Sequence, residues 1–293
     1  MKRYSYFPGC SLAATAVAYG LSVDKVSEIL GLELAELEDW TCCGSTPFSC
    51  FDELESVCIA GRNLALAEET GLDLVTPCSA CFSSLTRADS HLKTYPALRR
   101  QVSEIFEATG LQYGGRVKVR HLVDVLLNDV GTEEIEAKVV APFSGLQVAP
   151  YYGCQLIRPE SGFDDPEYPQ SLTRLITTLG AEVTPFPLRS RCCGASLIIS
   201  ERDVALGMIR ELLESAQSNG AECIVTVCPL CQTNLDLYQG MVNSKFKTSY
   251  DIPILFLTQL MGMAFGIEPR ALGLDRNVVS PGKVLAQHVS VRV

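Results

Sequence analysis

Apolar and polar positions along the 293-residue chain follow two alternating rhythms. Short apolar runs at 4–7, 72–76, 148–152 and 223–227 read as strands. Between them lie longer stretches with apolar residues three and four apart. One predicted helix has a capping-box-like start at Asp52 and Glu55, runs through Ala60, Leu64 and Ala67, and stops at Gly71. Another begins at Ser200, carries Leu206, Ile209, Leu213 and Ala216 at helical spacing, and stops at Gly220. Short strands alternating with long helices imply βαβ units and mainly parallel sheets.

The same order occurs twice, and the cysteines mark it. Cys10, the pair Cys42-Cys43 and Cys78-x-x-Cys81 form one set, and Cys154, the pair Cys192-Cys193 and Cys228-x-x-Cys231 form another. The gap from lone cysteine to pair is 31 residues in the first set and 37 in the second; from pair to C-x-x-C it is 34 in both. Each pair is followed by glycine, Gly44 or Gly194. Phe7-Pro8-Gly9-Cys10 corresponds to Tyr151-Tyr152-Gly153-Cys154. An internal duplication places ten cysteines in this way, and a repeat governs every finer reading. The predicted fold is α/β: two similar, small, Rossmann-like parallel-sheet halves related by pseudo-twofold symmetry. The halves are assigned to residues 1–147 and 148–293. The cysteines fall just after strands or in loops entering helices, the edge where open α/β sheets bind ligands. Both sets are expected to face a shared cleft.

Composition narrows the function. Hydrophobic residues make up 47% and charged residues 20%, an ordinary globular balance. The net charge of −10, without a basic run, argues against nucleic acid and anionic membrane as partners. The uncharged stretches 139–157 and 252–267 are interrupted by Pro142, Gly145, Pro150 and Gly153, or by Pro253, Thr258 and Gln259. A span needs about 20 mostly apolar residues, so both are expected to be buried core. Met1-Lys2-Arg3-Tyr4-Ser5-Tyr6 lacks the apolar core of a secretory signal, and a cytoplasmic location is expected. Thirteen cysteines in such a protein point to metal or redox chemistry rather than disulfides.

Structural zinc is usually held by two C-x-x-C knuckles, and each half has only one. Vicinal cysteines chelate one small ion poorly but can reach neighbouring irons. The ferredoxin run C-x-x-C-x-x-C-x-x-x-C is missing. Five thiolates per half therefore suit an iron–sulfur assembly less regular than an ordinary cube, with two zinc sites as the alternative.

The two sets, with the local words Trp40-Thr41-Cys42-Cys43-Gly44 and Tyr151-Tyr152-Gly153-Cys154-Gln155, resemble the duplicated cysteine-rich CCG domain of the heterodisulfide reductase B-type subunit. The resemblance covers nearly the whole chain. It implies two non-cubane [4Fe-4S] clusters, one on Cys10, Cys42, Cys43, Cys78 and Cys81, the other on Cys154, Cys192, Cys193, Cys228 and Cys231. It further implies reduction of a small disulfide to two thiols, with electrons from a ferredoxin-like C-type subunit fed by an A-type flavoprotein. CCG pairs also look like iron–sulfur subunits of succinate/fumarate and lactate/glycolate oxidoreductases, which exchange electrons with a quinone or thiol. A docking module for a thiol or lipoyl carrier is the third reading.

Cys58 and Cys223 have no counterpart in the repeat and read as core; Cys50, close after the first pair, is a candidate for lining the site. His91, His121 and His288 lack ligand spacing. No G-x-S-x-G, P-loop or G-x-G-x-x-G is present, so nucleotide and flavin binding have no support here. The halves differ in charge before the pair: Glu36, Glu38 and Asp39 in the first, Arg189 and Arg191 in the second. The two arginines are therefore expected to meet an anionic group of the substrate.

Overall fold

A computed structural model describes residues 2–45, 52–158 and 162–288. The first repeat runs β1 (Lys2–Tyr6), α1 (Val17–Ile29), β2 (Leu32–Glu36), α2 (Glu53–Thr70), β3 (Leu74–Thr76), α3 (Ser79–Thr94), α4 (Pro96–Glu107) and β4 (Val119–His121). A short connection follows, with α5 (Leu122–Asp124), a π-helical turn (Val125–Val130) and α6 (Thr132–Ala137). The second repeat runs β5 (Gln147–Tyr151), α7 (Gly153–Ile157), α8 (Ser171–Thr178), β6 (Glu182–Val183), α9 (Arg202–Ser218), β7 (Cys223–Thr226), α10 (Pro229–Leu237), α11 (Gln239–Phe246) and β8 (Ile254–Phe256). It closes with α12 (Leu257–Ala264) and α13 (Gly282–His288).

The sheets have the orders β2-β1-β3-β4 and β6-β5-β7-β8, which is one topology used twice. Every pairing is parallel, with Tyr6 opposite Val75 in one sheet and Tyr151 opposite Thr226 in the other. The expected α/β class and its duplication are thus present. The four predicted strands are found with ends shifted by a residue or two.

Local chemistry accounts for the helix that positions the first thiol set. Asp52 caps α2 by accepting a hydrogen bond from the Glu55 amide at 2.8 Å, and Gly71, at φ +67°, ends it in the left-handed region. Its counterpart α9 starts at Arg202 rather than at Ser200. The preceding residues are held in a turn instead, with the Glu201 amide donating to the Leu197 carbonyl at 2.7 Å.

Strand residues alternate between two apolar layers. Val148 and Val225 enter one, with Tyr4, Tyr6 and Val75 from the first repeat; Ala149, Tyr151 and Ile224 enter the other, with Phe7 and Leu74. Each layer draws on both repeats, so the halves fold against each other. Tyr19 of α1 stacks on Phe256 of β8 with ring centroids 4.0 Å apart, and α1 packs along α12. Stretch 252–267, expected as core, divides into β8 and α12 and is mostly buried. Among the described residues, no helix is long and apolar enough to cross a membrane.

Candidate metal centre

All ten cysteines of the two sets lie at the C-terminal edges of the sheets. In the first repeat, β1 leads into Gly9-Cys10, and β3 into Cys78 at the N-cap of α3, with Cys81 one turn later. The second repeat does the same with β5 before Gly153-Cys154, and β7 before Cys228 at the N-cap of α10, with Cys231 a turn on. Cys43, Cys78, Cys81, Cys193, Cys228 and Cys231 are buried; Cys154 and Cys192 are half-buried; Cys10 and Cys42 are exposed.

The buried sulfurs have each other for company. Cys43 Sγ lies 3.3 Å from Cys81 Sγ, and Cys193 Sγ lies 3.5 Å from Cys231 Sγ. A disulfide bond measures about 2.05 Å, so these are facing thiols. The glycines before the lone cysteines keep the space open. A Cβ on Gly9 would sit 3.0 Å from Cys81 Sγ, and one on Gly153 3.3 Å from Cys231 Sγ. Both glycines have positive φ, at +75° and +65°, which other residues rarely adopt.

The two sets also meet each other. Ser79 Oγ donates to the Val227 carbonyl at 3.1 Å across the repeats. The neighbouring thiols, Cys78 and Cys228, are close enough to perturb one another's ionisation. They occupy equivalent places in the repeat, so the approximate twofold axis passes between them.

Crowding drives the thiols apart in acidity. Cys43 is pulled down to about 4 by hydrogen bonds from Cys42 and Cys81. Cys192 is pulled down to about 2 by Cys154 and Cys193. Cys81 and Cys231 move up, each first through its hydrogen bond to the vicinal pair, at Cys43 or Cys193. The lowered thiols are biased toward thiolate, the form that binds metal.

A multi-iron group fits this donor set better than a single ion. Among the described residues, no three His, Cys, Asp or Glu side chains converge on a point where one metal ion could sit. Ligands of a cluster surround a volume instead, and Gly9 and Gly153 leave room beside Cys81 Sγ and Cys231 Sγ. The family model of the cysteine-rich domain CCG matches residues 4–86 and 148–236. The chain belongs to the CCG family, in the duplicated form of the heterodisulfide reductase B-type subunit. It is 37% identical, over 97% of its length and 99% of the relative's, to the 8-methylmenaquinol:fumarate reductase membrane anchor subunit of Wolinella succinogenes. It is 31% identical, over 98% and 97%, to the B-type subunit of the ferredoxin/F420H2-dependent CoB-CoM heterodisulfide reductase of Methanosarcina acetivorans. In fold it is similar to a hypothetical protein from Helicobacter pylori, with a TM-score of 0.77 at 17% identity, covering 95% of this chain and 52% of that one.

Several residues that serve the CCG site escaped sequence reasoning. Ser84 Oγ donates to the Cys43 carbonyl at 2.6 Å, and Asn234 Nδ2 donates to the Cys193 carbonyl at 2.7 Å. Each lies three residues after its C-x-x-C, so aligning the repeats past the last cysteine would have revealed the pair. They hold the vicinal cysteine against the knuckle. Asn234→Leu leaves a buried carbonyl unpaired, which costs about 1–3 kcal/mol. The expected outcome is a lower Tm together with partial loss of metal from the second set only, measured by thermal unfolding and metal analysis.

The arginines occupy less direct positions than expected. Arg189 enters the site through its carbonyl, which accepts from the Tyr152 and Gly153 amides at 2.9 and 3.0 Å. Arg191 does likewise, accepting from the Tyr151 hydroxyl at 2.6 Å, while its guanidinium lies 3.0 Å from Glu211. Glu36 accepts from Trp40 Nε1 at 2.8 Å, and Asp39 pairs with Arg62. Cys58 is half-buried beside the apolar layer, and Cys223 is buried in β7, where burial pushes its thiol up to about 12. Cys50 lies outside the described residues. His91 lies 3.0 Å from Glu53, His288 joins Ser144 and Glu222, and His121 is buried with Nδ1 accepting from the Val123 amide.

Proposed function

We propose that this chain is the disulfide-reducing subunit of an iron–sulfur electron-transfer complex. The observation that carries the reading is the meeting of the two thiol sets at Cys78 and Cys228. Two redox sites side by side can act on the two halves of one small molecule. The overall conversion is R–S–S–R′ plus two electrons and two protons to RSH and R′SH.

Cys10, Cys42, Cys43, Cys78 and Cys81 would hold one non-cubane [4Fe-4S] cluster, and Cys154, Cys192, Cys193, Cys228 and Cys231 the other. When bound, the clusters supply the electrons and irons with affinity for thiolate. The chain's own residues do the rest. The buried C-x-x-C turns would hold the two centres side by side, one in each repeat, while the exposed Cys10 and Cys42 side and the half-buried Cys154 and Cys192 side would leave room for approach. Holding both sulfurs of the substrate in one cleft replaces two encounters by one. Residues 1–147 and 148–293 act as one unit each. Electrons enter from a ferredoxin-like C-type subunit, itself fed by an A-type flavoprotein, on the cytoplasmic side.

A second reading has its own support. The Wolinella succinogenes relative is named for quinol-driven fumarate reduction, in which the pair of centres would pass electrons onward without cleaving a disulfide. Assay of the purified complex separates the two. Disulfide-dependent oxidation of a reduced donor, with new EPR signals when thiols are added to the oxidised complex, is the expected result. Quinol:fumarate turnover, with no disulfide reduction and no response to thiols, would favour the second.

A further inference from the structure

Just past the lone cysteine, the second repeat carries a cation that the first lacks. Beyond the lone cysteine the repeats read Cys10-Ser11-Leu12-Ala13-Ala14 and Cys154-Gln155-Leu156-Ile157-Arg158. Arg158 ends α7, one turn after Cys154 and therefore on the same face. It is exposed, beside the half-buried Cys154 and Cys192. Among the described residues it forms no ion pair, whereas Arg191 is committed to Glu211. The first mouth offers Ala14 at the matching place and Trp40 close by the vicinal pair.

We propose that Arg158 is the residue that orients the substrate, binding an anionic group on the sulfur-bearing half that enters the second thiol set. This rests on the disulfide reading. A guanidinium forks onto a carboxylate, sulfonate or phosphate with two parallel hydrogen bonds, and the uncharged half of an unsymmetrical disulfide is left for the first mouth.

The test uses the iron-loaded complex with Arg158→Gln, Arg158→Lys and Arg191→Gln. Its substrates are 3,3′-dithiodipropionate, which is anionic, and bis(2-hydroxyethyl) disulfide, which is neutral. Arg158→Gln removes this charge-assisted hydrogen bond and should raise KM for the anionic disulfide by about tenfold. Its kcat, and the KM for the neutral disulfide, should stay unchanged. Arg158→Lys should recover part of the loss, and Arg191→Gln should raise the KM for the anionic disulfide less than Arg158→Gln does. The wild-type KM for the anionic disulfide should rise with salt, and that dependence should weaken in Arg158→Gln. In parallel, EPR titration of the oxidised complex should show weaker binding of 3-mercaptopropionate in Arg158→Gln, with 2-mercaptoethanol unaffected. Equal effects on the anionic and neutral ligands, or none on either, would overturn the proposal. If the wild type reduces neither disulfide, the disulfide reading fails, and the thiol titration still decides the role of Arg158.

Discussion

Cys43→Ser should empty the first half of its iron and leave the second half loaded; Cys193→Ser should do the reverse. Both residues are buried, and each faces the last cysteine of its knuckle, at 3.3 Å for Cys43 and 3.5 Å for Cys193. Serine at either place removes a soft thiolate and leaves a hydroxyl that ligates iron far less well. With one set of five thiols in each repeat, damage would be confined to one of them. Iron should fall by about half in each variant, as two clusters of equal composition would give. Activity should be lost in both, because joint capture of a disulfide needs both centres. Cys58→Ser and Cys223→Ser should keep full iron, Cys58 lying half-buried on α2 and Cys223 within β7. Iron analysis with EPR of the four variants checks this. Full iron in both Cys43→Ser and Cys193→Ser would exclude these ligand sets.

Removing the iron should loosen the two vicinal-pair loops and leave the sheets standing. The sheets are embedded in apolar layers that do not depend on metal, with Leu74, Val148, Ala149, Ile224 and Val225 fully buried. The loops carrying Cys42–Gly44 and Cys192–Gly194 are held by a few hydrogen bonds, from Ser84 and Asn234 to the carbonyls of Cys43 and Cys193, from the Thr41 amide to Asn63, and from Tyr151 to the Arg191 carbonyl. Metal binding and ordering of its ligands are one equilibrium. Amide exchange in these loops should accelerate on iron removal by about tenfold or more, as for segments of low local stability, while β1, β3, β5 and β7 stay protected. Uniform acceleration across the chain would show that the metal supports the whole fold instead.

The parts legible in the sequence are those that repeat. Five thiol positions and two buried strands could be read because a duplication states each of them twice. Edge strands escaped for a physical reason: β2 is half-exposed, and β6 is only two residues long, Glu182–Val183, so neither carries a strong apolar run. β8 and α12 lie in one apolar stretch, where burial on all sides erases the difference between strand and helix periods. The encounter of Cys78 with Cys228 joins positions far apart in the chain, and no local pattern announces it. Arg189 and Arg191 stand near the second pair in sequence, but their backbone is what the site uses. Arg158 stood unnoticed because it follows the lone cysteine rather than the pair.

The most direct test of the central claim is the ratio of iron to acid-labile sulfide to zinc in the chain purified without oxygen. Two clusters on ten thiols predict iron and sulfide in equal amounts, enough for two [4Fe-4S] groups per chain, with zinc at background. Stoichiometric zinc without sulfide would contradict the account and leave the ten cysteines as structural knuckles.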